Sequence, residues 1–117
     1  MTQPYALIIE DDPKLGMIYR TALQQAGYET DLDENGNRYP ALLDARRPDL
    51  VILDLHLPFA FGSDILDAIR AKYPDVIVAV VTADFIKAKQ LTARADHILI
   101  KPVSVASLLK LAESVKK

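Results

Sequence analysis

Four short aliphatic runs recur along the chain with almost no polar alternation: YALIIE (5–10), LVILDL (50–55), VIVAVVT (76–82) and HILIK (97–101). A strand with one wet face alternates apolar and polar side chains, whereas a strand covered on both faces does not. Each run therefore predicts a strand buried on both sides. A fifth run, YETDLD (28–33), is weaker and more polar, as suits an edge strand. Segments of helical period lie between them. From Pro13 onward, Leu15, Ile18, Tyr19, Ala22, Leu23 and Ala26 fall on one face of a 3.6-residue repeat. Asp12 is placed to cap this helix, Pro13 to open it and Gly27 to stop it. Residues 40–47, 63–73, 84–95 and 104–116 predict four more helices, with Ser104 capping the last. In the fourth, only Phe85, Ala88 and Leu91 form an apolar stripe. Strand then helix, five times over, predicts an α/β fold: a parallel sheet with helices on both faces, joined by right-handed crossovers.

At 117 residues the chain fits one domain, long enough to bury roughly two-thirds of its unfolded surface. It contains no cysteine, which excludes a disulfide framework or a thiolate metal site and makes the cytoplasm the expected setting. Fourteen basic against sixteen acidic residues leave a net charge of -2. That balance gives no electrostatic footprint for nucleic acid or anionic lipid. The opening MTQPYALIIEDDP meets acids soon after its apolar run and has no basic region before it, unlike a signal peptide. No run is long enough to span a membrane.

In an open parallel sheet the carboxyl ends of all strands share one edge, and sites form there where the winding reverses. The polar residues of the runs gather at those ends. The first run finishes in Glu10, Asp11 and Asp12, the third ends around Asp54, the fourth in Thr82 and the fifth in Lys101. Singly, each has an ordinary reading: a cap, a turn acid, a strand threonine, a surface lysine. Together they place carboxylates close enough to repel, beside one ammonium, which suggests a divalent metal site. Oxygen ligands alone suit Mg²⁺, and Mg²⁺ with a lysine and a hydroxyl suits phosphoryl binding or transfer, in which a carboxylate can itself be the nucleophile.

At this point the sequence resembles the receiver domain of two-component response regulators. The matching features are the acids of IIEDDP, the run LDLHLPFAFG with Asp54, Pro58 and Gly62, then Thr82-Ala83 and Lys101-Pro102, in order along nearly the whole chain. The resemblance implies a doubly wound, flavodoxin-like (βα)5 fold with strand order 2-1-3-4-5. It implies that Asp54 is the phosphoacceptor, with Glu10 and Asp11 as the metal-binding acids and the backbone carbonyl of His56 as a further Mg²⁺ ligand. It assigns Thr82 and Lys101 to the phosphoryl group and a cis bond to Lys101-Pro102. The implied partners are a sensor histidine kinase or phosphotransfer protein and an output protein the sequence does not specify, with no direct role for nucleic acid or membrane. Such a domain catalyses its own phosphorylation and dephosphorylation and is otherwise no enzyme. With no output domain after Lys117, the expectation is a stand-alone receiver or one excised from a longer chain.

The chain departs from the family's pattern in two places. Ile98 stands where the family usually has Tyr or Phe, three residues before the lysine. The stretch from Thr82 to Lys101 is also shorter than usual. Two alternatives stay open: a receiver that docks without phosphate, and a Mg²⁺-dependent phosphatase with an aspartyl nucleophile, although such enzymes usually carry a carboxylate where His56 stands. His56 is also a candidate to tune the lifetime of an acyl phosphate, and His97, at the start of its strand, is expected to be structural.

Overall fold

The computed structural model describes residues 3–57 and 61–116. Along it run β1 (Tyr5–Ile9), α1 (Pro13–Gln25), β2 (Glu29–Asp33), α2 (Tyr39–Ala45), β3 (Leu50–Asp54), α3 (Gly62–Lys72), β4 (Ile77–Thr82), α4 (Phe85–Gln90), β5 (His97–Ile100) and α5 (Val105–Lys116). The strands form one parallel sheet in the order β2-β1-β3-β4-β5. The polar YETDLD run supplies an edge strand, as expected. Pro58 lies outside the described residues.

Strand alternation divides the core into two layers. Ala6 and Ile8 of β1, Leu50 and Ile52 of β3, and Ala79 and Val81 of β4 pack with Tyr19, Leu23, Leu108 and Ala112 of α1 and α5. Their neighbours Leu7, Ile9, Val51, Leu53, Val78 and Val80 pack with Leu43 of α2 and with Ile65, Leu66 and Ile69 of α3. Burial on both faces is why the β1, β3 and β4 runs lack polar alternation; the HILIK run, expected to be covered likewise, is instead the other edge strand, exposed at His97 and Ile100 and half-buried at Ile98 and Leu99. The chain leaves β1 into one layer and β3 into the other, so the winding reverses between adjacent β1 and β3, where a doubly wound sheet opens a crevice.

The caps and breaks follow the sequence. Asp12 accepts the N–H groups of Lys14 (2.9 Å) and Leu15 (3.2 Å), and Pro13 opens α1. Gly27 follows the end of α1 with φ 94°, in the left-handed region that glycine adopts without penalty. Ser104 Oγ accepts the N–H of Ser107 at the start of α5 (3.0 Å). The Lys101-Pro102 bond is cis.

Two further expectations need correction. The helix expected over 84–95 is only Phe85–Gln90, with Asp84 as its cap. Its thin stripe buries Ala88 and Leu91 but leaves Phe85 61% exposed. Just beyond, the Thr92 hydroxyl donates to the Lys89 carbonyl (3.0 Å) and Arg94 N–H donates back to the Leu91 carbonyl (3.0 Å), so the chain turns away. In α1, Ile18 lies at the rim of the stripe and is 43% exposed, while Gly16 is buried against Leu32.

Candidate functional site

Each site residue expected from the sequence lies at the carboxyl edge of the sheet. Asp54 and Thr82 are the last residues of β3 and β4, Glu10 follows β1, and Lys101 follows β5. Backbone bonds hold these ends in place: Glu10 N–H donates to Asp33 (3.2 Å), Leu55 N–H to Val81 (3.3 Å) and Lys101 N–H to Thr82 (2.9 Å). Gly62 lets α3 start tight against this edge, since a Cβ there would lie 2.6 Å from Leu55 Cδ2 and 2.8 Å from Leu55 Cα.

Glu10 and Asp54 are each 1% exposed. Lys101 Nζ reaches between them, 3.2 Å from Glu10 Oε1 and 3.5 Å from Asp54 Oδ1. Asp54 Oδ1 also accepts the backbone N–H of His56 (3.1 Å), and Glu10 Oε2 accepts that of Asp12 (3.2 Å). Burial pushes the Glu10 carboxyl up to about 7, helped by the hydrogen bond and charge of Asp54 and opposed by Asp12 N–H and Lys101. Burial alone would push the Lys101 ammonium down, but Asp54 and then Glu10 outweigh it and hold the group above its ordinary value. The result is an ammonium held in its charged form beside a Glu10 carboxyl that takes up a proton more readily than usual.

Glu10, Asp11 and Asp54 can bring one oxygen each within 4.8 Å of one another. Among the described residues, the buried Asp54 Oδ2 has no hydrogen-bond partner and Glu10 Oε1 has only the Lys101 ammonium. An unpartnered buried oxygen is costly, and an all-oxygen set that holds one fits a hard divalent cation.

The other two expected residues are placed less directly. The His56 side chain is exposed, and its visible contact with Asp54 is through the backbone. Thr82 is fully buried, but its hydroxyl accepts the N–H of Asp84 (2.9 Å) rather than meeting Asp54. Asp84 in turn caps α4 by accepting from Ile86 and Lys87 (3.0 Å each). Sequence reasoning also treats Tyr19 only as part of an apolar stripe, yet its hydroxyl is buried without a partner in the layer beneath the site. The one sequence signal was a polar atom on an otherwise apolar helix face.

Comparison with known proteins agrees with this geometry. The family model described as the response regulator receiver domain matches residues 6–113. The transcriptional regulatory protein PcoR of Escherichia coli is 37% identical over 106 residues, covering 88% of this chain and 47% of PcoR. The transcriptional activator protein IrlR of Burkholderia pseudomallei is 31% identical over 111 residues, covering 93% of this chain and 48% of IrlR. The chain thus spans about half the length of these curated relatives. Among solved structures, the chemotaxis response regulator CheY4 of Vibrio cholerae superposes with a TM-score of 0.87 at 26% identity, covering 97% of this chain and 99% of its own. The response regulator TrrA of Thermotoga maritima, solved in complex with Mg²⁺-BeF, gives 0.86 at 27% identity, covering 96% of this chain and 98% of its own. With the family match running from the first strand into the last helix, the chain belongs to the receiver domains of response regulators, the phosphorelay domains of two-component systems.

Proposed function

We propose that Asp54 is the phosphoacceptor of this chain, taking a phosphoryl group from the phosphohistidine of a sensor histidine kinase or phosphotransfer protein in a Mg²⁺-dependent reaction. The observation that carries this reading is a buried carboxylate at a strand end, with Lys101 Nζ 3.5 Å from Oδ1 and two further acids grouped beside it.

An Asp54 oxygen attacks phosphorus in line, forming an O–P bond as the donor's N–P bond breaks. The leaving imidazole nitrogen keeps the electron pair and takes up a proton. Lys101 holds a phosphoryl oxygen and cancels part of its charge. Thr82 receives another phosphoryl oxygen once its hydroxyl turns from the Asp84 N–H. Glu10 and Asp11, with Asp54 itself and the His56 backbone carbonyl, are the residues that would hold Mg²⁺. Few carboxylates and no other charged ligands suit an ion that keeps several waters. When bound, Mg²⁺ neutralises charge on the phosphoryl oxygens.

Residues 1–117 act in this reading as one receiver unit that turns over only its own phosphoryl group. The acyl phosphate changes the domain's shape and thereby its contact with an output protein. A cytoplasmic setting belongs to the same reading, as the compartment expected of a cysteine-free chain.

The test is incubation with Mg²⁺ and acetyl phosphate followed by intact mass. The expected result is one added phosphoryl group on the wild type and none on Asp54→Ala. An unmodified wild type, or an Asp54→Ala chain that gains the same mass, would overturn the reading. The observation favouring a second reading, docking without phosphate, is Ile98, which packs half-buried against the α2–α3 layer where it cannot swing a ring outward. That reading expects partner affinity to be equal for the unmodified and phosphorylated chain.

A further inference from the structure

Among the described residues, Asp54 Oδ2 and the hydroxyl of Tyr19 are buried with no hydrogen-bond partner, and Glu10 Oε1 has only the Lys101 ammonium, 3.2 Å away. The two carboxylate oxygens belong to the candidate site, and Tyr19 sits on α1. A phenol bears a proton donor, and the two carboxylate oxygens are acceptors. With Glu10 Oε1 served by the Lys101 ammonium, one donor and one acceptor are left over, which invites the question of whether they serve one another.

The geometry brings them to the same side. Ile8 and Ile52 pack with Tyr19 in the α1–α5 layer. Glu10 and Asp54 lie two residues further along the same strands, so alternation sends their side chains into that layer too. Tyr19 lies seven residues beyond the Asp12 cap, about 10 Å along the helix axis. Side chains on a helix lean toward its N-terminus, which for α1 is the site edge, and a tyrosine is long enough to cover most of that distance. Tyr19 is itself 2% exposed, so its hydroxyl has no route to bulk solvent. Burial raises its phenol to about 12, with the charges of Glu10, Asp54 and Asp12 adding to the effect. The charges felt most by this hydroxyl are therefore those of the site.

We infer that Tyr19 is a positioning residue for Asp54: its hydroxyl, by way of buried water, donates to the Asp54 and Glu10 oxygens from the α1 side. The inference rests on Asp54 being the phosphoacceptor. His56 N–H restrains Oδ1 of that carboxylate, while Oδ2 has no donor among the described residues. A donor from beneath stops the carboxylate from rotating about χ2 and keeps an oxygen aimed at the incoming phosphorus. Three polar partners are also the usual complement of a buried water.

The test uses Tyr19→Phe, which keeps the ring and removes only the hydroxyl. With acetyl phosphate and saturating Mg²⁺, the phosphorylation rate is expected to fall roughly fivefold, while the Mg²⁺ concentration giving half the maximal rate changes by less than about twofold. The melting temperature is expected to fall by a few degrees at most, as for the loss of one hydrogen bond, so the slower rate does not come from unfolding. A second measurement does not depend on phosphorylation. With tyrosines labelled at Cζ, the Tyr19 carbon signal, assigned by its loss in Tyr19→Phe, is expected to shift in Asp54→Asn. The Tyr28 signal is expected to stay fixed, since its hydroxyl is bonded to Ala112 O at 2.7 Å. An unchanged rate in Tyr19→Phe, or a Tyr19 signal indifferent to Asp54→Asn, overturns the inference. A wild type that takes no phosphate overturns the acceptor reading instead, and the carbon signal then decides the Tyr19 link alone.

Discussion

Lys101 Nζ lies 3.2 Å from Glu10 Oε1 and 3.5 Å from Asp54 Oδ1, so one ammonium from the end of β5 serves two buried carboxylates from the ends of β1 and β3. Removing it leaves those carboxylates without their cation. Lys101→Met is expected to destabilise the metal-free protein by about 3 kcal/mol at pH 8. The loss should be smaller at pH 5.5, where Glu10 takes up a proton in place of the missing charge. Chemical denaturation at the two pH values measures both quantities, and an equal loss at both would contradict the account.

The raised Glu10 carboxyl has its own signature. Its ordinary value is 4.5 and its folded value about 7, so between these the native state holds a proton the unfolded chain has shed. The stability this contributes is complete below 4.5 and is lost as pH rises toward 7. Between pH 5 and 7.5 the melting temperature of the metal-free wild type is expected to fall by roughly 5 °C more than that of Glu10→Gln. Saturating Mg²⁺ should offset the fall, because a cation favours the ionised carboxylate.

Gly62 and Gly16 are both buried glycines of helices, yet alanine should behave differently at each. At Gly62 the new Cβ would meet backbone, Leu55 Cα at 2.8 Å, which cannot move without shifting the loop after Asp54. At Gly16 the nearest atom is Leu32 Cδ2 at 3.1 Å, a side-chain tip that can turn aside. Gly62→Ala is expected to cost about 2 kcal/mol, and Gly16→Ala less than half as much. Thermal melts of the two variants give the comparison.

Asp33 is fully buried, and its carboxylate accepts five backbone N–H groups: Asn35 (3.1 Å), Gly36 (2.9 Å) and Asn37 (3.4 Å) at Oδ1, Arg38 (2.8 Å) and Tyr39 (2.7 Å) at Oδ2. This single side chain builds the turn into α2. Asp33→Ala is expected to cost about 3 kcal/mol. Amide exchange should accelerate first at Gly36, Arg38 and Tyr39, which sets this local loss apart from global unfolding.

Much of this was legible because a doubly wound sheet turns sequence order into position. Once the four aliphatic runs read as strands covered on both faces, their last residues had to share one edge, which is how Glu10, Asp54, Thr82 and Lys101 came together from distances of up to ninety-one residues. The caps at Asp12 and Ser104 were legible for a local reason, since a short polar side chain before an apolar repeat satisfies free N–H groups. Periodicity could not show where α4 ends, because Thr92 competes for a helix carbonyl through a side-chain contact. Nor could it show that Ile18 sits on the rim of its stripe, or that the Thr82 hydroxyl is engaged by Asp84. The proton held by Glu10 was only half visible: crowded acids could be anticipated, but their near-complete burial could not.

Alternation along the strands has a last consequence. Glu10 and Asp54 follow Ile8 and Ile52 into the α1–α5 layer, whereas Thr82 follows Val78 and Val80 into the opposite one. The site is therefore not on either side of the sheet but across its rim. A group gripped by Asp54 and Thr82 together would fasten the two helical layers to each other like a rivet, and a protein resting on either layer would feel the same fastening.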